Sequence, residues 1–241
     1  GRGEDDMMIE PALKSQSNVQ KPSDEAVAES LSLAIHQHRL APGTKLGEDE
    51  LADIYGVSRT VVRAALLSLS HIQLVEIQRN RGAFVSQPSL REAHEVFEAR
   101  ELLESRTASS AAKLATSTDI ALLNRHIVDE HAAMDAGDQG RALYLSGLFH
   151  IEIARIAGQG TITGFIETLI ARSSLIIALY WRRESALCES HAHHALVKAI
   201  ADGDGTRAEA LMRSHLVDIH SALDLREKTD APLSLRDALR L

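Results

Sequence analysis

The chain has 241 residues, with 34 acidic against 26 basic side chains, a formal charge of −8 and one cysteine, Cys188. This length gives room for one or two domains with a sizeable core. A single cysteine excludes a disulfide framework and a thiolate-rich zinc site. The acidic balance argues against nucleic acid as a partner, because phosphate binding depends on Lys and Arg. Twelve histidines are the second unusual feature.

The sequence shows no targeting or membrane signal. No uninterrupted apolar run reaches the ~20 residues that a membrane-spanning helix needs. The first eight residues lack the apolar core of a signal peptide. We therefore expect a cytoplasmic protein with no membrane partner. Residues 1–23 mix charge, Ser, Gln and Pro without periodicity, which predicts a disordered N-terminal segment.

Two segments with different patterns follow, separated at Pro88. Residues 24–87 predict three short helices and then two strands, whereas residues 89–228 are almost wholly helical in pattern. Residues 229–241 predict a flexible tail with a short helix at its end. The fold class is thus mainly α, with a small N-terminal domain of helices and a hairpin and a C-terminal antiparallel bundle of about six helices. These six are predicted over residues 90–116, 119–135, 139–157, 162–181, 186–202 and 205–227.

The first segment has the pattern of a winged helix-turn-helix. A short helix over residues 48–55 ends at Gly56, and Ser58 can cap a second, amphipathic helix. Its first turn carries three polar side chains that can enter a major groove. These are Arg59, Thr60 and Arg63.

Residues 74–78 and 83–86 alternate as two strands of a hairpin, a candidate wing. Between residues 56 and 85 there are four arginines and one acid, Glu76, so the local charge is +3. The acidic total therefore conceals a basic surface. The alternative, a small helical domain with merely solvated arginines, leaves the agreement of helices, turn, cap and hairpin unexplained.

Residues 40–86 resemble the winged-helix domain of GntR-family bacterial transcription regulators, above all in Gly56-Val57-Ser58-Arg59-Thr60-Val61-Val62-Arg63 and Arg81-Gly82-Ala83-Phe84-Val85. The resemblance implies that the helix contacts bases and phosphates of operator DNA, and the wing the adjacent minor groove. At two positions the chain departs from the family. Val61 replaces the usual proline, and Asp49 stands where many members have an arginine, which removes or repels one phosphate contact. The implied DNA-binding residues are Ser58, Arg59, Thr60, Arg63, Arg81 and Gly82.

Three histidines converge in the predicted bundle. His193 and His215 lie on apolar stripes of the last two helices, each eleven residues from the turn at Asp204. In an antiparallel hairpin they reach the same height, about 16 Å from the bend. His150 lies on an inward stripe of the third helix. One buried histidine is usually a hydrogen-bonded core residue, but three on converging faces match a metal site.

Arg100 is a misfit on the apolar stripe of the first bundle helix. A buried guanidinium needs an anion. That anion is either internal, for instance Glu104, or a ligand, and the sequence leaves both open.

Residues 90–224 resemble the FCD effector domain of the FadR-type subfamily, and the six helices resemble its VanR-like group. The signatures are Ala99-Arg100-Glu101-Leu102-Leu103-Glu104, Phe149-His150, His193-His194-Ala195-Leu196 and Met212-Arg213-Ser214-His215. The resemblance implies a divalent metal, zinc or nickel, on His150, His193 and His215, with Arg100 facing the same cavity and an organic acid completing the coordination. The family has aspartate or asparagine where Ser146 stands. Ser146 and Arg100 are thus expected to contact the effector.

These features predict a homodimeric, one-component repressor that leaves a palindromic operator in double-stranded DNA when a small carboxylate binds. Three alternatives stay open: a regulator that senses the metal ion itself, a metal-free effector cavity, and a three-histidine zinc hydrolase. Against the hydrolase, the sequence offers no well-placed general base, and the winged helix would have no purpose. We therefore expect no enzymatic activity.

Overall fold

A computed structural model of the chain describes residues 23–180, 187–223 and 233–239. The disorder predicted for residues 1–22 lies outside these ranges, whereas Ser23 is described and caps the first helix by accepting a hydrogen bond from the Ala26 amide. The described residues confirm a mainly helical fold with a small sheet. In chain order they form α1 (Asp24–His36), β1 (Lys45–Leu46), α2 (Glu48–Tyr55), α3 (Arg59–His71), β2 (Val75–Gln78), β3 (Gly82–Val85), α4 (Leu90–Leu114), α5 (Ser117–Asp135), α6 (Gln139–Ile156), α7 (Gly160–Tyr180), α8 (Leu187–Ala201), α9 (Gly205–Ser221) and α10 (Leu235–Leu239).

The first six elements form the expected winged helix-turn-helix. Gly56 ends α2 at φ 66°, a left-handed conformation that glycine adopts without strain. Ser58 then caps α3 by accepting a hydrogen bond from the Val61 amide at 3.3 Å. The sheet is antiparallel in the order β1-β3-β2. Strand β1, which pairs Lys45 with Phe84, was not predicted, because two residues are too few to show alternation.

The six bundle helices, α4 to α9, lie where the sequence placed them. The described part of α9 ends at Ser221, before the predicted end at residue 227, because the chain turns at the capping residue Ala222. Helix α4 packs along α9, and α5 packs against α6 and α8. Phe97, Phe149 and Leu123 are fully buried among these helices.

Helix α7 is, among the described residues, the one helix long and apolar enough to cross a membrane, with a mean hydropathy of 1.6. Its apolar side chains are explained by packing. Ile176 belongs to the core of the bundle, Leu175 to the core of the winged helix, and Ile166 to a cluster between α6 and α7. It is therefore a core helix that contacts both halves of the molecule.

The two halves meet where α1 lies on α6 and α7. The Nδ1 atom of His36 is 2.9 Å from the Ser174 hydroxyl, and His38 donates from Nε2 to the Ser174 carbonyl at 3.1 Å. Gly140 abuts the end of α1 so closely that a Cβ atom there would lie 2.0 Å from the carbonyl oxygen of Gln37. The close contact between α1 and α6 therefore requires glycine, which has no side chain, at position 140.

Residues 233–239 are not the flexible tail that we expected over residues 229–241. Helix α10 buries Leu235 and Leu239 in the core of the winged helix. Arg39 donates to the Leu239 carbonyl at 3.0 Å, and Arg236 pairs with Asp53 of α2. The segment is short, so its periodicity gave no sign that its apolar residues would be buried.

Candidate functional site

The three predicted histidines meet inside the bundle. His150 comes from α6, His193 from α8 and His215 from α9, and all three are buried. One ligating nitrogen from each lies within 4.8 Å of the other two. The Nε2 atoms of His193 and His215 are 3.2 Å apart. Nε2 of His150 is buried without a hydrogen-bond partner among the described residues. Three convergent nitrogens, one of them orphaned, fit a divalent metal ion.

Two buried carboxylates hold the outer side of these rings. Nδ1 of His150 lies 2.6 Å from Glu104, and Nδ1 of His193 lies 2.9 Å from Glu130. When a carboxylate accepts the Nδ1 proton, the Nε2 lone pair is left to bind a metal. The rings are thus oriented as ligands.

Burial sets the protonation of the site. It lowers the pKa of His150, and it lowers that of His215 together with the neighbouring imidazoles, so both rings are neutral, the form that binds metals. Burial alone would raise the pKa of Glu104, but Arg100 and His150 lower it to about 2. Burial raises the pKa of Glu130 to about 8, so its carboxylate form, the one that accepts the Nδ1 proton of His193, is favoured only at higher pH. The pKa of Glu104 is lowered and that of Glu130 is raised because the Arg100 guanidinium lies beside Glu104.

Arg100 is buried and has an internal anion. Its Nε atom donates to Glu104 at 2.6 Å, and Nη1 donates to the Ser173 hydroxyl at 3.3 Å. Of the two possibilities left open by the sequence, the structure contains the internal salt bridge. Arg100 also lines a cavity of about 30 Å³ together with Ser146 and His150. Such a volume holds a water molecule but not an organic acid.

A second cavity, of about 320 Å³, lies at the junction of the two halves. It has the size of a small-molecule pocket. Gly147 and Ile170 line both cavities, and a Cβ atom on Gly147 would lie 2.8 Å from Cγ2 of Ile170. Ser174 also lines both. The cavity beside the histidine cluster and the larger cavity thus share part of their walls.

Glu130 was not predicted as part of the site, and Glu104 was predicted only as a partner for Arg100. Glu130 follows Leu123 and Ile127 at helical spacing on the buried face of α5. A charged side chain on an apolar stripe is the signal that singled out Arg100. Applied to acids as well, it would have found Glu130.

The predicted DNA-contacting residues are exposed on the winged helix. The start of α3 presents Arg59, Thr60 and Arg63 to solvent, directly after the capping residue Ser58. At the hairpin, Gly82 has φ 99°, and the Arg81 guanidinium lies 5.9 Å from the centre of the Phe84 ring. This surface has the polar, cationic composition that DNA phosphates and base edges require.

Comparison with known families decides the identity of this arrangement. Residues 23–85 match the bacterial regulatory proteins of the gntR family, and residues 95–218, more than half of the chain, match the FCD domain. The chain belongs to the GntR family. It is a DNA-binding transcriptional regulator with an FCD domain, not an enzyme.

Curated relatives of this GntR regulator are similar over most of their length. The HTH-type transcriptional regulator LutR of Bacillus subtilis is 27% identical, over 78% of this chain and 95% of LutR. The HTH-type transcriptional repressor RspR of Escherichia coli is 25% identical, over 88% and 93%. Two solved structures share the fold. The transcriptional regulator GntR from Rhodococcus sp. RHA1 has a TM-score of 0.74 at 21% identity, covering 82% of this chain and 95% of that one. E. coli McbR/YncC has a TM-score of 0.71 at 21% identity, covering 81% and 93%.

Proposed function

We propose that this regulator is a cytoplasmic homodimeric repressor. A divalent metal, zinc or nickel, is held by the three histidines, and a small organic acid that binds beside it releases the protein from a palindromic operator. The observation that carries this proposal is the buried, unpartnered Nε2 of His150, in a cluster whose candidate ligand atoms lie within 4.8 Å of one another. Three imidazole ligands leave one coordination position open, the arrangement of zinc sites that accept a further ligand.

The effector would use that open position. Ser146 lies one turn before His150 on α6 and lines the same cavity as Arg100. A carboxylate there would meet a metal and a guanidinium, two groups that favour anions. Because the cavity holds only about 30 Å³, the body of the acid must extend elsewhere. The cavity of about 320 Å³ behind Gly147 has the necessary size.

The junction offers a route from this site to the DNA-binding surface. Ser174 lines both cavities and is hydrogen-bonded to His36 of α1. Helix α1 packs in turn on α3, which carries Arg59 and Arg63. A ligand that displaces α7 would thus move α1 and, with it, the recognition helix.

A homodimer follows from the small size of one winged helix and from operator symmetry. Large apolar side chains exposed on the described bundle helices support an interface between copies. They are Leu90, Leu102, Leu114, Leu122, Val128, Phe165 and Val217.

Metal analysis combined with DNA binding tests the proposal. The full chain would select duplexes from a random pool, and its affinity for them would be measured before and after chelation. If DNA binding persists after chelation while the response to added carboxylates vanishes, the metal belongs to the effector site. Arg59→Ala and Arg63→Ala should abolish DNA binding without changing the metal content. Unchanged DNA binding of these variants would refute the recognition helix.

One observation favours a second function, a regulator whose signal is the metal itself. The cavity beside the histidines has room for an ion and a water molecule but for no organic ligand. In that case, chelation alone would release the DNA, and no carboxylate would be needed.

A further inference from the structure

Both arginines at the start of the recognition helix are held by carboxylates of the preceding helix. Nε of Arg59 donates to Asp49, and Nε of Arg63 donates to Glu48 at 2.8 Å. The two acids belong to the first turn of α2, and the two arginines lie one turn apart on α3. Arg59, Arg63 and Asp49 are largely exposed and Glu48 is partly exposed, so the pairs contribute little to folding.

The pairing uses one edge of each guanidinium and leaves the other edge free. In the part of the chain that the structure describes, Nη1 and Nη2 of Arg59 have no protein partner, and the same is true of Arg63. These two amino groups form the planar fork that meets O6 and N7 of guanine in the major groove. A carboxylate on Nε thus fixes the fork without occupying it.

We propose that Asp49 is a positioning residue that determines sequence specificity. It holds Arg59 through Nε so that Nη1 and Nη2 face a guanine, and Glu48 holds Arg63 in the same way. The inference rests on the proposed role of α3 as the recognition helix. Each operator half-site then contains two guanines whose recognition depends on a carboxylate of α2.

Asp49 also acts against non-specific binding. Its charge is exposed beside the arginine that approaches DNA, and it repels backbone phosphates. An unrestrained arginine can reach any phosphate nearby. An arginine that is already held in one conformation cannot, because its conformational entropy has been lost before DNA binds. Asp49 should therefore raise the ratio of specific to non-specific affinity through both effects.

The experiment compares the full-length wild type with Asp49→Asn, Glu48→Gln and Arg59→Ala. Each protein selects duplexes from a pool with 20 randomised base pairs, and the bound sequences are read. Affinity for the unselected pool is measured by anisotropy at several salt concentrations. Asp49→Asn removes the charge at nearly constant shape. Because Asp49 is exposed, the substitution should leave the fold intact, so a change in DNA binding reports the loss of the charge.

We expect Asp49→Asn to lose preference for one guanine by at least about fivefold, the lower end of what one bidentate pair contributes. Arg59→Ala should lose preference at that same base pair, and Glu48→Gln at a different one. Asp49→Asn should also bind the unselected pool more tightly, with a steeper salt dependence. A merely structural role would weaken both kinds of binding.

If Asp49→Asn keeps the wild-type preference at the base pair that Arg59→Ala loses, the positioning role is wrong and the recognition helix stands. If Arg59→Ala leaves every preference unchanged, the recognition helix itself is wrong, and the role of Asp49 is refuted with it.

Discussion

His36 of the winged helix and Ser174 of the effector domain are joined by a hydrogen bond of 2.9 Å between Nδ1 and the hydroxyl oxygen. Ser174 lies in a wall common to the two cavities, so a single residue faces the histidine cluster on one side and the DNA-binding half on the other. This contact gives the two halves a means to influence each other.

The first prediction concerns pH and the junction. Burial, together with His38, lowers the pKa of His36 from 6.5 to about 4. The folded protein keeps this ring neutral, whereas the unfolded chain protonates it below pH 6.5. The contribution to stability is thus complete above pH 6.5 and is lost as the pH falls towards 4. Arg155 and Glu167 line the same cavity and face the ring from α6 and α7.

His36→Asn keeps a polar group near the position of Nδ1 and removes the titration. Between pH 7 and pH 5, we expect the melting temperature of the wild type to fall more steeply than that of this variant. Parallel melting curves across that range would contradict the assignment of this titration to His36.

The second prediction concerns Gly140. Gly140→Ala should force α1 away from α6, because the new methyl group would meet the Gln37 carbonyl at 2.0 Å. We expect lower thermal stability and altered DNA affinity. Gly164→Ala is the control, since that helical position has nothing within 4 Å and alanine favours a helix by up to about 1 kcal/mol. Equal melting temperatures of the two variants would show that the contact is unimportant.

The third prediction concerns the carboxylate behind His193. Glu130→Ala should weaken zinc binding by about 10- to 100-fold, the usual effect of removing a group that orients a metal ligand. Glu209→Ala, on the surface of α9, should leave zinc affinity unchanged. Titration against a chromophoric chelator measures both, and equal affinities would argue against a metal on these histidines.

The fourth prediction concerns the buried pair of Arg100 and Glu104. Glu104→Leu leaves a guanidinium without its anion and should lower the free energy of unfolding by about 3–5 kcal/mol. The double variant Arg100→Met/Glu104→Leu should regain much of this loss, because no charge is left buried. Urea unfolding distinguishes the two, and a double variant less stable than Glu104→Leu would contradict the argument.

The periodicity of the sequence predicted the helices, and the symmetry of the hairpin about Asp204 predicted that His193 and His215 lie close together. Their role as metal ligands stays a prediction. The sequence did not predict which anion meets Arg100, since that depends on side-chain rotamers. Strand β1 and the docking of α10 also escaped prediction. Both are formed by contacts between residues far apart in the chain, such as Lys45 with Phe84 and Arg39 with Leu239.

The small volume beside His150 limits the affinity with which the regulator can bind the proposed effector. If the proposed carboxylate binds there, it needs an expanded form of the cavity, and its apparent dissociation constant would be the intrinsic one divided by the population of that form. If one molecule in about a hundred is expanded, the response shifts to roughly a hundredfold higher concentration. Under the proposed function, the wall that must give way includes Gly147 and Ile170, which line both cavities, so their packing would set the concentration of acid at which the regulator responds.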